Sequence, residues 1–160
     1  MFFNTSETER SGKLKTSSNG IQLIKSFEGC RLKAYKCPAG VLTIGIGHTG
    51  AVNGKPITEG MTITELMAET LLAIDLQQFE QAINTLVKKS LTQNEFDALV
   101  SFVFNIGIGN FKKSSMLKLL NSGHMPLAAG QFDRWIYAKG QALNGLKKRR
   151  QAEKTLFLTK

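Results

Sequence analysis

The chain is 160 residues long with 42% hydrophobic and 21% charged residues, which is material for one domain of ordinary size, too short for two and too apolar for a chain that never folds. Charge interrupts every apolar run before the ~18 residues a membrane helix requires, so no membrane insertion is expected. Twenty-one Lys and Arg against twelve Asp and Glu leave a formal +9, which favours an anionic polymer as partner, whether nucleic acid, membrane surface or bacterial wall.

Met1 to Ser17 is rich in Ser, Thr, Lys and Glu and lacks a hydrophobic period. It reads as a flexible lead-in to a single domain over 18–160. Only Phe2 and Phe3 are apolar at the extreme N-terminus, so no core of a secretory signal is expected. Ile21, Leu23, Ile24 and Phe27 then follow a helical spacing that stops at Gly29, beside Glu28. Leu32 to Gly50 reads as a small β-hairpin: Tyr35, Val41, Thr43, Ile44 and Ile46 favour strand, and Cys37-Pro38-Ala39-Gly40 supplies the turn. A β-lobe over about 30–60 is the expectation, followed by a helical lobe over about 62–160. Thr62 to Glu65 reads as a capping box opening a long amphipathic helix through Leu66, Leu71, Leu72, Leu76, Phe79, Ile83 and Leu86. A second box, Thr92 to Glu95, opens a stretch apolar on all sides, Phe96 to Ile106, as expected of a buried central helix. Shorter helices are expected over about Ser114–Leu120, Pro126–Tyr137 and Leu146–Leu158.

Reactive side chains are densest in the β-like stretch, where Glu28, Cys37, Thr43 and His48 fall within 21 residues. Each has an ordinary structural explanation: an exposed helix-end carboxylate, a small buried thiol, a strand Thr and a packed His. One physical point favours chemistry. A carboxyl at a helix C-terminus, beside Phe27, faces the negative end of the macrodipole and loses water, and both effects raise its pKa towards that of a general acid. Two cysteines, Cys30 and Cys37, are too few for a disulfide scaffold. With only His48 and His124 as further soft ligands, no metal site is expected.

The stretch Phe27 to Gly50 closely resembles the active-site segment of phage-type lysozymes, glycoside hydrolase family 24. Its spacing is Glu, eight residues, Asp or Cys, five residues, Thr, which Glu28, Cys37 and Thr43 fit without a gap. Phe104-Asn105-Ile106-Gly107, and Trp135 with Gly145 to Glu153, resemble later motifs of the same family. The resemblance covers about Ser18 to Lys160. It implies an α+β, lysozyme-like fold, with a small N-terminal β-lobe and a larger helical lobe joined by the long helix, the substrate cleft lying between the lobes. The implied activity is a muramidase that cleaves the β-1,4 bond between N-acetylmuramic acid and N-acetylglucosamine of bacterial peptidoglycan, with no cofactor and no metal. Glu28 would protonate the glycosidic oxygen while Cys37 and Thr43 hold the attacking water, in an inverting displacement that needs room for that water.

Cys37 departs from the commoner pattern, which has Asp here. A free thiol of pKa ~8.5 is mostly neutral at pH 7 and a weaker electrostatic partner than a carboxylate. Either its pKa is lowered, with Arg31, Lys33 and Lys36 as candidate causes, or the thiol mainly positions water. A wall-binding relative without catalysis is the third reading. Cys30 and Cys37 together resemble a subgroup of phage endolysins made with a releasable N-terminal membrane segment, in which an inhibitory disulfide occupies the catalytic Cys until a third Cys displaces it. This sequence has neither that apolar segment nor a third Cys, so the switch is not expected in that form. A regulatory Cys30–Cys37 disulfide formed in an oxidising periplasm stays open, and would silence the enzyme. By matched position, Asn105 and Arg149 support the cleft. His48 is read either as a sugar-contacting residue or, preferentially, as a packed His held by Asp75. Lys147 to Arg150 as a nucleic-acid patch is set aside as a solvated helix face. The biology implied is a monomeric phage or prophage endolysin, made in the host cytoplasm and released by a holin to act in the periplasm. The alternative is an antibacterial effector delivered by a contractile secretion system.

Overall fold

The structure is a computed structural model in which Lys13 to Lys160 are described. By internal packing the chain divides into two units, Ile24–Gln77 and Gln78–Lys160 with the residues up to Leu23.

Helix α1 (Ser18–Glu28), of which Ile24–Glu28 belong to the first unit, ends where Gly29, at φ 76°, donates its N–H to the Lys25 carbonyl at 2.9 Å. A positive φ at this position costs glycine nothing, so the helix stops with Glu28 as its last residue. Strands β1 (Arg31–Lys36) and β2 (Leu42–Gly45) form the expected antiparallel hairpin, with Tyr35 opposite Thr43 and Lys36 opposite Leu42. Ile44, Val52, Ile57 and Leu71 form its core, with Met61, Ile63 and Met67 packed against them. On β2, Thr43, Ile44 and Gly45 are all buried, Ile44 within this core.

Helix α2 (Glu65–Leu86) is the long helix, and the boundary between the two units falls inside it, not ahead of it. Its cap differs from the sequence reading. Thr64, not Thr62, accepts the Met67 N–H at 3.1 Å, while Thr62 pairs with Lys33 as an added rung beside β1. A β-bridge takes the first Thr because its backbone is needed to cover the hairpin's edge.

The second unit is built around α3 (Gln93–Ile106). Its capping box is complete: the Glu95 N–H donates to Thr92 Oγ1 at 3.1 Å, and the Thr92 N–H to Glu95 Oε1 at 2.8 Å. Every residue from Phe96 to Val103 is buried, as a helix apolar on all sides requires. Short helices α4 (Ile108–Lys113), α5 (Ser115–Asn121) and α6 (Met125–Gly130) follow, then a 3-10 turn (Gln131–Arg134). Next come a hairpin of β3 (Tyr137–Ala138) and β4 (Gln141–Ala142), and helix α7 (Asn144–Leu158), which packs on α3. The helix expected over Pro126–Tyr137 therefore stops at Gly130, and α4 occupies a stretch left unassigned by the sequence. Gly107 at φ 92° breaks α3 and starts α4, whereas Gly130 keeps right-handed helical geometry and α6 gives way there to the tighter 3-10 turn.

Of the flexible lead-in expected over 1–17, residues 1–12 lie outside the described residues. Residues 13–17 are held by side chains of α2 and α3. The Leu14 N–H donates to Asn84 Oδ1 at 3.1 Å and the Thr16 N–H to Glu80 Oε2 at 2.8 Å, while Ser17 donates from both N–H and hydroxyl to the buried Asp97 carboxylate. Among the described residues no helix is long and apolar enough to cross a membrane.

Candidate active site

Glu28, Cys37, Thr43 and His48 all belong to the unit Ile24–Gln77. Three pieces of backbone geometry place them. The end of α1 presents Glu28, whose Oε1 lies 3.7 Å from where a Cβ on Gly47 would stand. Gly47, at φ 70°, belongs to the tight turn in which Ile44 and His48 exchange N–H···O bonds of 2.9 and 3.0 Å. A side chain there would be strained, and its Cβ would stand in van der Waals contact with the carboxyl. The turn after β1 presents Cys37.

Cys37 and Thr43 converge on one atom. The Cys37 N–H and the Thr43 hydroxyl both donate to the Val41 carbonyl, each at 2.9 Å, and the Gly40 N–H closes the turn on the Cys37 carbonyl at 2.7 Å. Thr43 is buried and Cys37 half-buried. The thiol pKa is lowered from its ordinary value, first by hydrogen bonding from the backbone at Val41, then at Ala39, against a smaller opposing loss of water, with the Thr43 side chain adding to the lowering. The foremost cause is thus the turn's own backbone, a different source from the Arg31, Lys33 and Lys36 charges considered from the sequence. Donors aimed at sulfur favour the thiolate.

Cys30 and Cys37 are both free. They flank strand β1, whose six residues at ~3.3 Å each set them roughly 20 Å apart along the chain, where a disulfide needs Cα atoms within about 7 Å. A regulatory Cys30–Cys37 disulfide, left open by the sequence, would therefore require β1 to rearrange.

His48 is 6% exposed. Its Nδ1 lies 2.7 Å from Asp75 Oδ2 and its Nε2 3.0 Å from the Ala51 carbonyl. Both partners accept only, so the two bonds together need a proton on each ring nitrogen. Burial pulls the His48 pKa down, but hydrogen bonding to Asp75 and Ala51 and the Asp75 charge outweigh it, so the pKa is raised. The structure thus pairs His48 with Asp75 on α2.

Asn105, which is exposed, and Arg149, which is buried, belong to the other unit and to one hydrogen-bonded network. Arg149 donates to Glu153 Oε2 from Nε at 3.1 Å and to the Ser101 carbonyl at 3.1 Å. Arg150 donates to Glu153 Oε1, to Asn105 Oδ1 and, at 2.9 Å, to the Trp135 carbonyl, with its guanidinium 5.0 Å from the Phe102 ring. The Ser101 hydroxyl completes the Glu153 shell at 2.6 Å. Arg149 is 4% and Arg150 1% exposed, so half of the Lys147–Arg150 run faces the interior instead of forming a solvated face. Ser101 and Glu153 carried no functional reading from the sequence, and Arg150 only the nucleic-acid patch that was set aside. The available signal was Glu153 standing three and four residues after the two arginines on one helix.

Residues 25–153 match the family described as phage lysozyme. The chain is 46% identical over 146 residues to the endolysin of Salmonella phage P22, covering 91% of this chain and 99% of that protein. A crystal structure of a P22 lysozyme mutant superposes with a TM-score of 0.87, at 45% identity, covering 91% of this chain and 99% of that one. The muramidase domain of SpmX from Asticaccaulis excentricus gives a TM-score of 0.84 at 45% identity, covering 92% of this chain and 100% of that one. The endolysin of Bacillus phage B103 is 45% identical over 148 residues, 91% of this chain but 55% of the relative. The chain therefore spans about half the length of that Bacillus phage relative.

Proposed function

From a chain that belongs to the phage lysozyme family, we propose a muramidase that hydrolyses the β-1,4 bond between N-acetylmuramic acid and N-acetylglucosamine of peptidoglycan, in the subgroup of glycoside hydrolase family 24 with Cys where the commoner pattern has Asp. The observation that carries this reading is the convergence of Cys37 and Thr43 on the Val41 carbonyl, within the unit that also holds Glu28. The Cys37 backbone N–H and the Thr43 hydroxyl share that acceptor, and the Thr43 side chain also bonds the Cys37 thiol, whose pKa is lowered, so that thiol and hydroxyl can hold one water.

In this mechanism the Glu28 carboxyl gives its proton to the glycosidic oxygen, and the C1–O bond breaks towards an oxocarbenium-like transition state. Water held by Thr43 and Cys37 adds to C1 from the other side and gives its proton to the Cys37 thiolate. The anomeric carbon is inverted. Glu28 is left as carboxylate and Cys37 as thiol, and solvent returns one proton and removes the other. Within the other unit, the Asn105–Arg150–Glu153 network fixes α3 against α7. The partner is bacterial peptidoglycan and the role that of a monomeric endolysin, made in the host cytoplasm, released by a holin and acting on the wall from the periplasm. The P22 and B103 relatives, both named endolysins, support that role.

The test is release of reducing sugar from purified sacculi, and clearing of outer-membrane-permeabilised Gram-negative cells, for wild type, Glu28→Gln and Cys37→Ser under reductant. Glu28→Gln is expected to lose about a thousandfold in rate with its melting temperature unchanged, the scale of a lost general acid. Cys37→Ser should lose less, because a hydroxyl still binds water while losing the thiolate. Wild-type rates in Glu28→Gln would end the assignment.

A further inference from the structure

We propose that the β3–β4 hairpin is a glycan-docking element, in which Tyr137 stacks against a pyranose ring of the wall polymer and Lys139 faces its carboxylates. The choice of polymer rests on the muramidase reading; the docking chemistry comes from the hairpin itself.

Tyr137 pairs with Ala142 and Ala138 with Gln141, and the Leu143 N–H adds a rung to the Ile136 carbonyl at 2.9 Å. Every residue from Tyr137 to Gly145 is exposed, and the Tyr137 side chain is 63% exposed. A two-stranded hairpin that buries so little is marginal in water by itself, so this ring is not there as core material. Ala142 stands opposite Tyr137 on the same strand face, and a methyl group leaves the aromatic face uncovered. The turn is Lys139 at φ 51° and Gly140 at φ 79°, the left-handed pair that suits hairpin twist. A lysine in place of the usual Asn or Gly sets an ammonium at the tip.

The surroundings fit an anionic partner. Arg134, Lys139, Lys147 and Lys148 are exposed, while the one acid within residues 131–150, Asp133, bonds Lys154 at 2.8 Å. An aromatic face open to C–H bonds, flanked by cations and no unpaired carboxylate, matches a sugar polymer bearing carboxylates. Single-stranded nucleic acid also uses rings and cations, but it stacks successive bases on several rings. Among the described residues of the helical unit, Tyr137 is the one exposed ring, Trp135 packing edge-on against Phe102 at 5.9 Å.

The chain has two tyrosines, so their ring resonances are readily told apart by NMR. Full-length Glu28→Gln protein is titrated with soluble disaccharide-peptide fragments of peptidoglycan, with neutral chitotetraose and with a single-stranded oligonucleotide. Tyr137 is expected to shift with both sugars and Tyr35 with neither. Tyr137→Ala should weaken binding about tenfold and Tyr137→Phe little, as a stacking face predicts. Lys139→Gln should weaken the carboxylate-bearing fragment alone. An unmoved Tyr137 resonance, unchanged affinity in Tyr137→Ala, or oligonucleotide binding stronger than either sugar would each overturn the proposal. Sugar release from sacculi by the wild-type protein reads the muramidase assignment separately.

Discussion

Residues 24–77 hold five Lys and Arg against five Asp and Glu, whereas residues 13–23 and 78–160 hold fifteen against five. The excess charge that points to an anionic partner thus belongs to the helical unit, and the unit with Glu28 and Cys37 is neutral. Attraction for a polymer and chemistry upon it have different electrostatic needs. Cations raise the local concentration of an anionic substrate, but they would oppose a positive charge developing on the sugar ring. The two units also hold their polar groups differently. In the β-bearing unit, turns and backbone carbonyls set Cys37 and Thr43; in the helical unit, buried ions hold one another.

The sharpest way to break this contrast is at Glu153, which is fully buried and accepts from Arg149, Arg150 and Ser101. Glu153→Gln leaves two buried guanidiniums without their counter-charge and should cost about 3–5 kcal/mol in urea unfolding. The rate of Cys37 alkylation in the folded state should not change, because the thiol is tuned by its own turn. A small stability loss would mean that the network does not anchor α7.

A smaller effect is expected at the one buried ion pair of the neutral unit. His48 has its folded pKa raised above the unfolded value of 6.5. The stability contributed by its extra proton is therefore fully present below about pH 6.5 and is lost as pH rises through the higher folded pKa. Asp75→Asn should cost about 2 kcal/mol at pH 5.5, and less above the folded pKa. Melting temperatures of the two proteins from pH 5 to 9 should converge as pH rises; a constant gap would show that His48 does not titrate with folding. Thr92→Ala, which removes one half of the α3 capping box, is the mildest, at about 1 kcal/mol by urea unfolding. It should leave activity intact.

The sequence announced what is local. The Thr92–Glu95 box, the apolar run of α3 and the stop at Gly29 depend on residues within a turn or two of one another, and all three stand in the fold. The order of Glu28, Cys37 and Thr43 was legible for the same reason, as were the strands and turn that carry them. Misread were Thr62, which resembles a helix cap until a strand claims its backbone, and the stretch beyond Gly130, where helical composition gives way to a hairpin. Tertiary structure alone decided that Arg149 and Arg150 turn inward to Glu153, that Cys30 and Cys37 lie at opposite ends of a strand, and that residues 13–17 are tied to α2 and α3. In each case the deciding partner is distant in sequence or the deciding quantity is a length, and hydrophobic periodicity encodes neither.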